Sequence, residues 1–166
     1  MNYFWLDANA IAKQYIVEKG TPTINHLFTR VSAKQMICLF DSMDETRFVI
    51  VKKRNNAEIT LPEFNQAIQR FEAEIINSTE VIQVHATVDQ KEAARQLIHD
   101  YPINSSDAYI LQCALDKVNQ LQITGDDLVL ISSDKRLLDA ARSEGLLIFD
   151  PETDSQTTLD ILINLP

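Results

Sequence analysis

The sequence has little glycine, proline or cysteine: its 166 residues include 3 Gly, 5 Pro and 2 Cys. So little glycine and proline excludes a collagen-like or low-complexity chain, and two cysteines are too few for a disulfide scaffold. Apolar residues form 45% of the chain, enough to bury the core of one domain. We therefore expect a single domain over residues 1–166.

Long apolar runs are also lacking. The run from Leu128 to Ile131 is among the longest, and a bilayer span needs roughly 18 residues. The start of the chain is aromatic and acidic, without the basic segment of a secretion signal. Cys38 and Cys113 lie in apolar stretches without metal or redox spacing. These features predict a cytoplasmic protein that has no membrane partner and whose two thiols are reduced and buried.

Positive charge is scarce, since 15 Lys and Arg face 24 Asp and Glu and give a net charge of -9. This balance excludes a protein that coats duplex nucleic acid through many phosphate contacts. The surplus carboxylates indicate either a solvated acidic surface or a pocket that holds divalent cations. The histidines, His26, His85 and His99, are scattered and do not indicate a general base.

Short apolar segments alternate with helical patterns along the whole chain. The predicted strands lie at 3–6, 36–40, 81–84, 128–131 and 146–149. Helices are predicted between them, including one over about 41–54, one over 61–76 and one that begins near Ser105. This alternation predicts an α/β fold, a three-layer sandwich with a mostly parallel central sheet covered by helices on both faces.

Carboxylates recur where predicted strands give way to helices. Asp7 ends the first strand, Glu45 lies early in the helix after the second, Asp107 opens a long apolar helix, and Asp134 follows the strand over 128–131. The carboxyl ends of parallel strands share one edge of a sheet, where ligands bind. The four side chains are therefore expected to converge.

Helix capping is the competing explanation for each of these acids, because Asp and Glu are favoured at helix starts. Ser42 and Glu45 have the spacing of a capping box, and Asp134 follows two serines. Asp7 fits capping less well, because an unpaired carboxylate bordering an aromatic strand is costly. A shared Mg²⁺ or Mn²⁺ would relieve repulsion among several such carboxylates.

Three segments together resemble the PIN-domain family, in particular its VapC-like toxin ribonucleases. The first runs from Phe4 to Tyr15 and continues to Glu18 and Gly20. The second, over 106–115, resembles the family's third acidic motif, and the third, over 130–146, resembles its fourth. The segment around Glu45 is less typical, and Asp41 and Asp44 are alternatives to Glu45. The chain is also longer than many small toxins, chiefly through 55–76 and 116–127.

The resemblance implies a PIN fold and an endoribonuclease, a hydrolase that cleaves RNA phosphodiesters with a metal-activated water. Its catalytic acids would be Asp7, Glu45, Asp107 and Asp134, and Asp7, Asp107 and Asp134 would hold Mg²⁺ or Mn²⁺. Asn9 and Ser133 would be auxiliary polar residues that orient water or carboxylates. The resemblance also implies a type II toxin–antitoxin pair, with a small antitoxin whose basic segment enters the acidic groove.

The net negative charge of the protein repels RNA phosphates, so basic residues are expected at the rim of the RNA-binding site. Lys13, Lys52, Lys53 and Arg54 are the candidates for substrate binding. For the last three, a favourable interaction with the C-terminal end of their own helix is an equal alternative. A homodimer through helices such as 61–76 is also possible. The rival function is a non-catalytic α/β module whose acidic edge binds a basic partner.

Overall fold

The computed structural model describes residues 1–164, so the last two residues of the predicted domain lie outside the described part. The strands are β1 (Asn2–Leu6), β2 (Met36–Leu39), β3 (Ile82–Val84), β4 (Asp127–Ile131) and β5 (Leu147–Phe149). The α-helices are α1 (Ala8–Tyr15), α2 (Thr21–Arg30), α3 (Phe40–Asn55), α4 (Leu61–Phe71), α5 (Val88–Asp100), α6 (Ser105–Gln122), α7 (Lys135–Ser143) and α8 (Gln156–Asn164).

The five strands form one sheet in the order β3-β2-β1-β4-β5, and every neighbouring pair is parallel. The chain leaves β1 toward β2 on one side, whereas it leaves β4 toward β5 on the other. The order therefore reverses between β1 and β4. A crevice opens outside the carboxyl ends of two strands at such a point, and ligands bind there.

Alternate residues of each strand point to opposite faces of the sheet and feed separate cores. Phe4 and Leu6 belong to a core that includes Ile11, Ile24 and Phe71 from the helices on one face. Trp5 belongs to the core on the other face, built largely by α5, α6 and α7. The predicted three-layer α/β sandwich is confirmed, and the sheet is entirely parallel.

Several local predictions need correction. The predicted helix over 61–76 is α-helical only to Phe71 and continues as a π-helical segment, Glu72–Ile76. Helix α8 was not predicted, although Leu159 and Leu162 on it are buried in the first core. Two other features concern the cysteines and the membrane. Cys38 and Cys113 are free and buried, as predicted. Within residues 1–164, no helix combines the length and apolar character that a membrane span requires.

Gly20 fixes how the first helical turn of α2 meets the rest of the molecule. It has a φ of +88°, and a Cβ there would lie 2.9 Å from the carbonyl oxygen of Pro151. The nearby Lys13 ammonium lies 3.1 Å from Glu18 and 2.9 Å from Glu152. This cluster, in which Lys13 is buried and the two glutamates are partly exposed, joins the α1–α2 loop to the loop after β5.

Candidate functional site

Asp7 stands at the end of β1, beside the point where the strand order reverses. Its carboxylate accepts hydrogen bonds from the Ala8 amide at 2.6 Å, the Ser132 hydroxyl at 2.7 Å and the Asn9 side-chain amide. The residue is only 5% exposed. Burial raises the pKa of Asp7 to about 6, against the hydrogen bonds that lower it, and the negative charges of Glu45 and Asp134 raise it further.

Asn9 and Ser132 hold the Asp7 carboxylate to the β4 side of the crevice. The Asn9 side chain also donates to the Ser132 hydroxyl at 3.0 Å and accepts from the Ser133 amide at 2.8 Å. The predicted auxiliary role of Asn9 therefore has a geometric basis. Ser133 differs, because its own hydroxyl is buried without a hydrogen-bond partner in the described structure. The serine that contacts Asp7 is Ser132, which the sequence interpretation passed over.

Asp107 lies in the first turn of α6, but capping does not explain it. The residue before the helix, Asn104, supplies the cap by accepting from the Asp107 amide at 3.0 Å. The Asp107 side chain is buried, and its Oδ2 atom has no hydrogen-bond partner among the described residues. Burial raises the pKa of Asp107 to about 6, and the charges of Asp134 and Asp7 add to the shift.

Glu45 is likewise not a capping residue, which corrects the capping box predicted with Ser42. Helix α3 begins at Phe40, with Leu39 before it, so Ser42 and Glu45 both lie inside the helix. Glu45 is exposed at the mouth of the crevice. Partial burial raises the pKa of Glu45, and the charge of Asp107 adds to the effect.

The alternatives to Glu45 are separated by the face of α3 on which they lie. Asp41 and Glu45 are four residues apart and line the same pocket, whereas Asp44 is exposed and does not line it. Of Asp41, Asp44 and Glu45, it is Glu45 whose charge raises the pKa of Asp7. This arrangement favours Glu45 as the second acid.

Asp134 caps α7, as the competing explanation held. Its Oδ1 atom accepts from the amides of Arg136 at 2.8 Å and Leu137 at 3.4 Å, while Oδ2 lies 3.5 Å from the Arg136 guanidinium. The Asp134 side chain is 29% exposed, and its charge reaches both Asp7 and Asp107. Asp134 therefore both caps α7 and belongs to the acidic crevice.

The donor set fits a hard divalent cation in its chemistry, because carboxylate oxygens are the ligands that Mg²⁺ prefers. The unpartnered Oδ2 atom of Asp107 and the repulsion between Asp7 and Asp107 also favour binding of a cation. Among residues 1–164, however, no three Asp, Glu, His or Cys side chains form a preformed metal-binding cluster. The fit therefore rests on chemistry and burial rather than on coordination geometry.

The predicted basic rim is only partly present. Lys13 is 2% exposed and paired with Glu18 and Glu152, which corrects the prediction that it binds substrate. Lys53 pairs with Glu58 at 2.6 Å. Lys52 and Arg54 are exposed. Because a helix rises 1.5 Å per residue, Lys52 lies about 10 Å from Glu45 along the axis of α3.

Comparison with known proteins agrees with this architecture. The PIN domain family profile matches residues 41–152, well over half of the chain, and Asp7 precedes the matched segment. No curated protein matches the chain.

Among solved structures, FitAB bound to an IR36 DNA fragment is 14% identical, with a TM-score of 0.63 over 92% of this chain and 97% of the other. FitAcB from Neisseria gonorrhoeae is 15% identical, with a TM-score of 0.61 over 91% and 99%. VapC20 from Mycobacterium tuberculosis, described as a sarcin-ricin loop cleaving toxin, is 15% identical, with a TM-score of 0.59 over 92% and 99%. At these identities the likeness shows a shared fold alone. The profile match over 41–152 shows that the chain belongs to the PIN-domain family.

Proposed function

We propose that this protein is a divalent-metal-dependent endoribonuclease and the toxin of a type II toxin–antitoxin pair. The observation that carries the proposal is the burial of Asp7 and Asp107 together at the reversal of the strand order. Neither carboxylate has a basic partner within hydrogen-bond distance in the described structure, and Asp107 keeps an unpartnered oxygen. Buried charges without such partners are costly unless a cation binds them.

Asp7, Asp107 and Asp134 would hold Mg²⁺ or Mn²⁺, with Glu45 at the mouth of the crevice. A bound divalent ion supplies Lewis-acid chemistry, which makes water a stronger nucleophile at neutral pH and offsets negative charge at the phosphate. Ser132 and Asn9 fix the orientation of the Asp7 carboxylate. Glu45, which is exposed, would orient water or accept its proton.

An RNA substrate and an antitoxin partner are supported by the likeness to VapC20 and FitAB. An antitoxin with a basic segment would complement the charge of -9 on this chain. The reading frame beside this one is then expected to encode a small protein with such a segment. A cytoplasmic location is part of the same proposal. A homodimer through α4 has less support, because Ala67 and Phe71 of its apolar stripe are buried within this chain.

The test is cleavage of a labelled RNA pool by purified protein with Mg²⁺ or Mn²⁺. We expect cleavage that EDTA stops and that Asp7→Asn and Asp107→Asn each slow by at least about 100-fold. Asp139→Asn is the matched control, because Asp139 is exposed on α7 and pairs with Arg142. Binding of a basic partner without any metal-dependent cleavage would instead support the non-catalytic module.

A further inference from the structure

A pocket beside the acidic crevice shares Glu45 with it, but the proposed chemistry uses none of its other lining residues. Its volume is about 320 Å³, and it lies between the first turns of α3 and α6. It is lined by Leu39, Asp41, Ser42, Glu45, Tyr109 and Ile110, together with Ser106. A volume at the low end of the range for small-molecule sites suits a single nucleoside.

Ser42 is the second observation that points to a ligand there. The residue is 1% exposed, yet its hydroxyl has no hydrogen-bond partner in the described structure. Buried hydroxyl groups without partners are uncommon, because the lost hydrogen bond costs free energy. Thr46, one turn later on α3, shows the usual arrangement, since its hydroxyl donates to the Ser42 carbonyl at 2.7 Å.

The walls of the pocket fit a flat ring with hydrogen-bond donors on its edge. Leu39, Ile110 and the Tyr109 ring supply apolar and aromatic surface. Bases of single-stranded RNA are held against such surface and read through their Watson–Crick edges. The lining also holds two carboxylates, Asp41 and Glu45, which only accept hydrogen bonds when ionised. Guanine fits best, because its N1–H and N2–H₂ groups are adjacent donors that one carboxylate can accept together.

Groups beside the pocket offer contacts to neighbouring phosphates and bases of the same RNA strand. The Lys91 ammonium lies 5.4 Å from the centre of the Tyr109 ring and brings positive charge to the rim. Phe40 and His85 stack with ring centres 4.5 Å apart at the ends of β2 and β3. Phe40 is 42% exposed, so this pair offers further stacking surface on the same edge of the sheet.

We propose that this pocket, with Asp41 as its reading group, binds a guanine base next to the phosphodiester that is cut. The assignment rests on the proposed ribonuclease activity, because Glu45 borders both the pocket and the acidic crevice. It adds a specificity-determining residue, Asp41, which the crevice itself does not use.

The test begins with nucleosides and metal-free protein, so that it does not depend on catalysis. Guanosine and uridine are titrated in EDTA and followed by NMR. We expect guanosine to bind at least about fivefold more tightly than uridine. Asp41→Asn should remove this difference, and Asp44→Asn, an exposed neighbour on α3 outside the pocket, should keep it. Equal binding of the two nucleosides, or an unchanged preference in Asp41→Asn, would overturn the proposal.

The second arm maps cut sites in a randomised RNA pool. We expect guanine to be enriched at one position beside the cut, and Asp41→Asn to lose this enrichment while still cutting. Cutting without any guanine enrichment would overturn the pocket assignment and leave the ribonuclease intact. Guanosine binding that depends on Asp41 in a protein that cuts no RNA would overturn both the ribonuclease and the assignment of the pocket to RNA.

Discussion

At the scale of single residues, the four acids predicted from the sequence have different local roles. Asp134 caps a helix, whereas Asp107 does not, although both lie at helix starts. Sequence patterns could not separate these cases, because capping depends on which residue adopts the extended conformation before the helix. That residue is Asn104 at α6, not one of the residues at 105–107.

Asp107→Asn is expected to stabilise the metal-free protein at neutral pH. The pKa of Asp107 is raised from 3.8 to about 6 by burial and then by its acidic neighbours. The folded protein thus holds this proton more tightly than the unfolded chain, and stability falls as pH rises from about 4 to 6. Removing the charge should gain about 1–3 kcal/mol at pH 7.5 and much less at pH 4.5.

Urea unfolding in EDTA at both pH values measures this effect. Asp139→Asn, on the exposed side of α7, should show no gain that depends on pH. A loss of stability in Asp107→Asn at pH 7.5, or an equal gain at both pH values, would contradict a buried repulsive carboxylate.

Adjacent serines should differ sharply when their hydroxyls are removed. The fully buried Ser132 hydroxyl donates to Asp7 at 2.7 Å and accepts from the Asp134 amide at 3.0 Å. Ser132→Ala should therefore cost about 1–3 kcal/mol in the free energy of unfolding. It should also raise the pKa of Asp7, because a hydrogen bond to its charged form is lost.

Ser133→Ala is the matched variant and should stay within about 0.5 kcal/mol of the wild type, since its hydroxyl has no partner in the described structure. Urea denaturation compares the two variants directly. Equal losses would show that the hydrogen bond to Asp7 contributes nothing specific.

At the scale of elements, the sequence predicted the strands well because all five are short, largely apolar segments between helical patterns. Helix starts were predicted less well. Ser42 resembled a cap, yet α3 begins at Phe40 directly after β2, without any side-chain cap. The end of the chain was missed because α8 follows a polar turn and is only nine residues long, with its burial set by distant residues of the first core.

Gly20 tests how one element is held by a distant loop. Alanine there would adopt an unfavourable φ of +88° and bring Cβ to 2.9 Å from the Pro151 carbonyl oxygen. We expect Gly20→Ala to cost about 2–4 kcal/mol in the free energy of unfolding. Gly145→Ala is the control, because Gly145 has a φ of +87° and a Cβ there would have no neighbouring atom within 4 Å.

Chemical denaturation of both variants separates the cost of the positive φ from the cost of the contact between Cβ and the Pro151 carbonyl oxygen. The control should lose about 1 kcal/mol, the cost of the left-handed conformation alone. Losses of the same size in both variants would mean that the contact with Pro151 does not constrain the loop.

At the scale of the whole molecule, the strand order explains why acids far apart in sequence meet. Asp7 follows β1 and Asp134 follows β4, and these strands are neighbours with Leu6 opposite Ile131. The sequence could place Asp7 and Asp134 at strand ends but could not give the order β3-β2-β1-β4-β5, which depends on how the strands pair. The burial of Lys13 was equally out of reach, because its partner Glu152 is 139 positions away.

Metal binding is the central claim at this scale, because the proposed activity depends on it and the burial of Asp7 and Asp107 beside each other favours it. Calorimetric titration of Mn²⁺ into metal-free protein at pH 7.5 measures it most directly. We predict binding by the wild type and by Asp139→Asn, and at least about tenfold weaker binding by Asp7→Asn and Asp107→Asn. Binding of Mn²⁺ by Asp107→Asn with the affinity of the wild type would contradict the account.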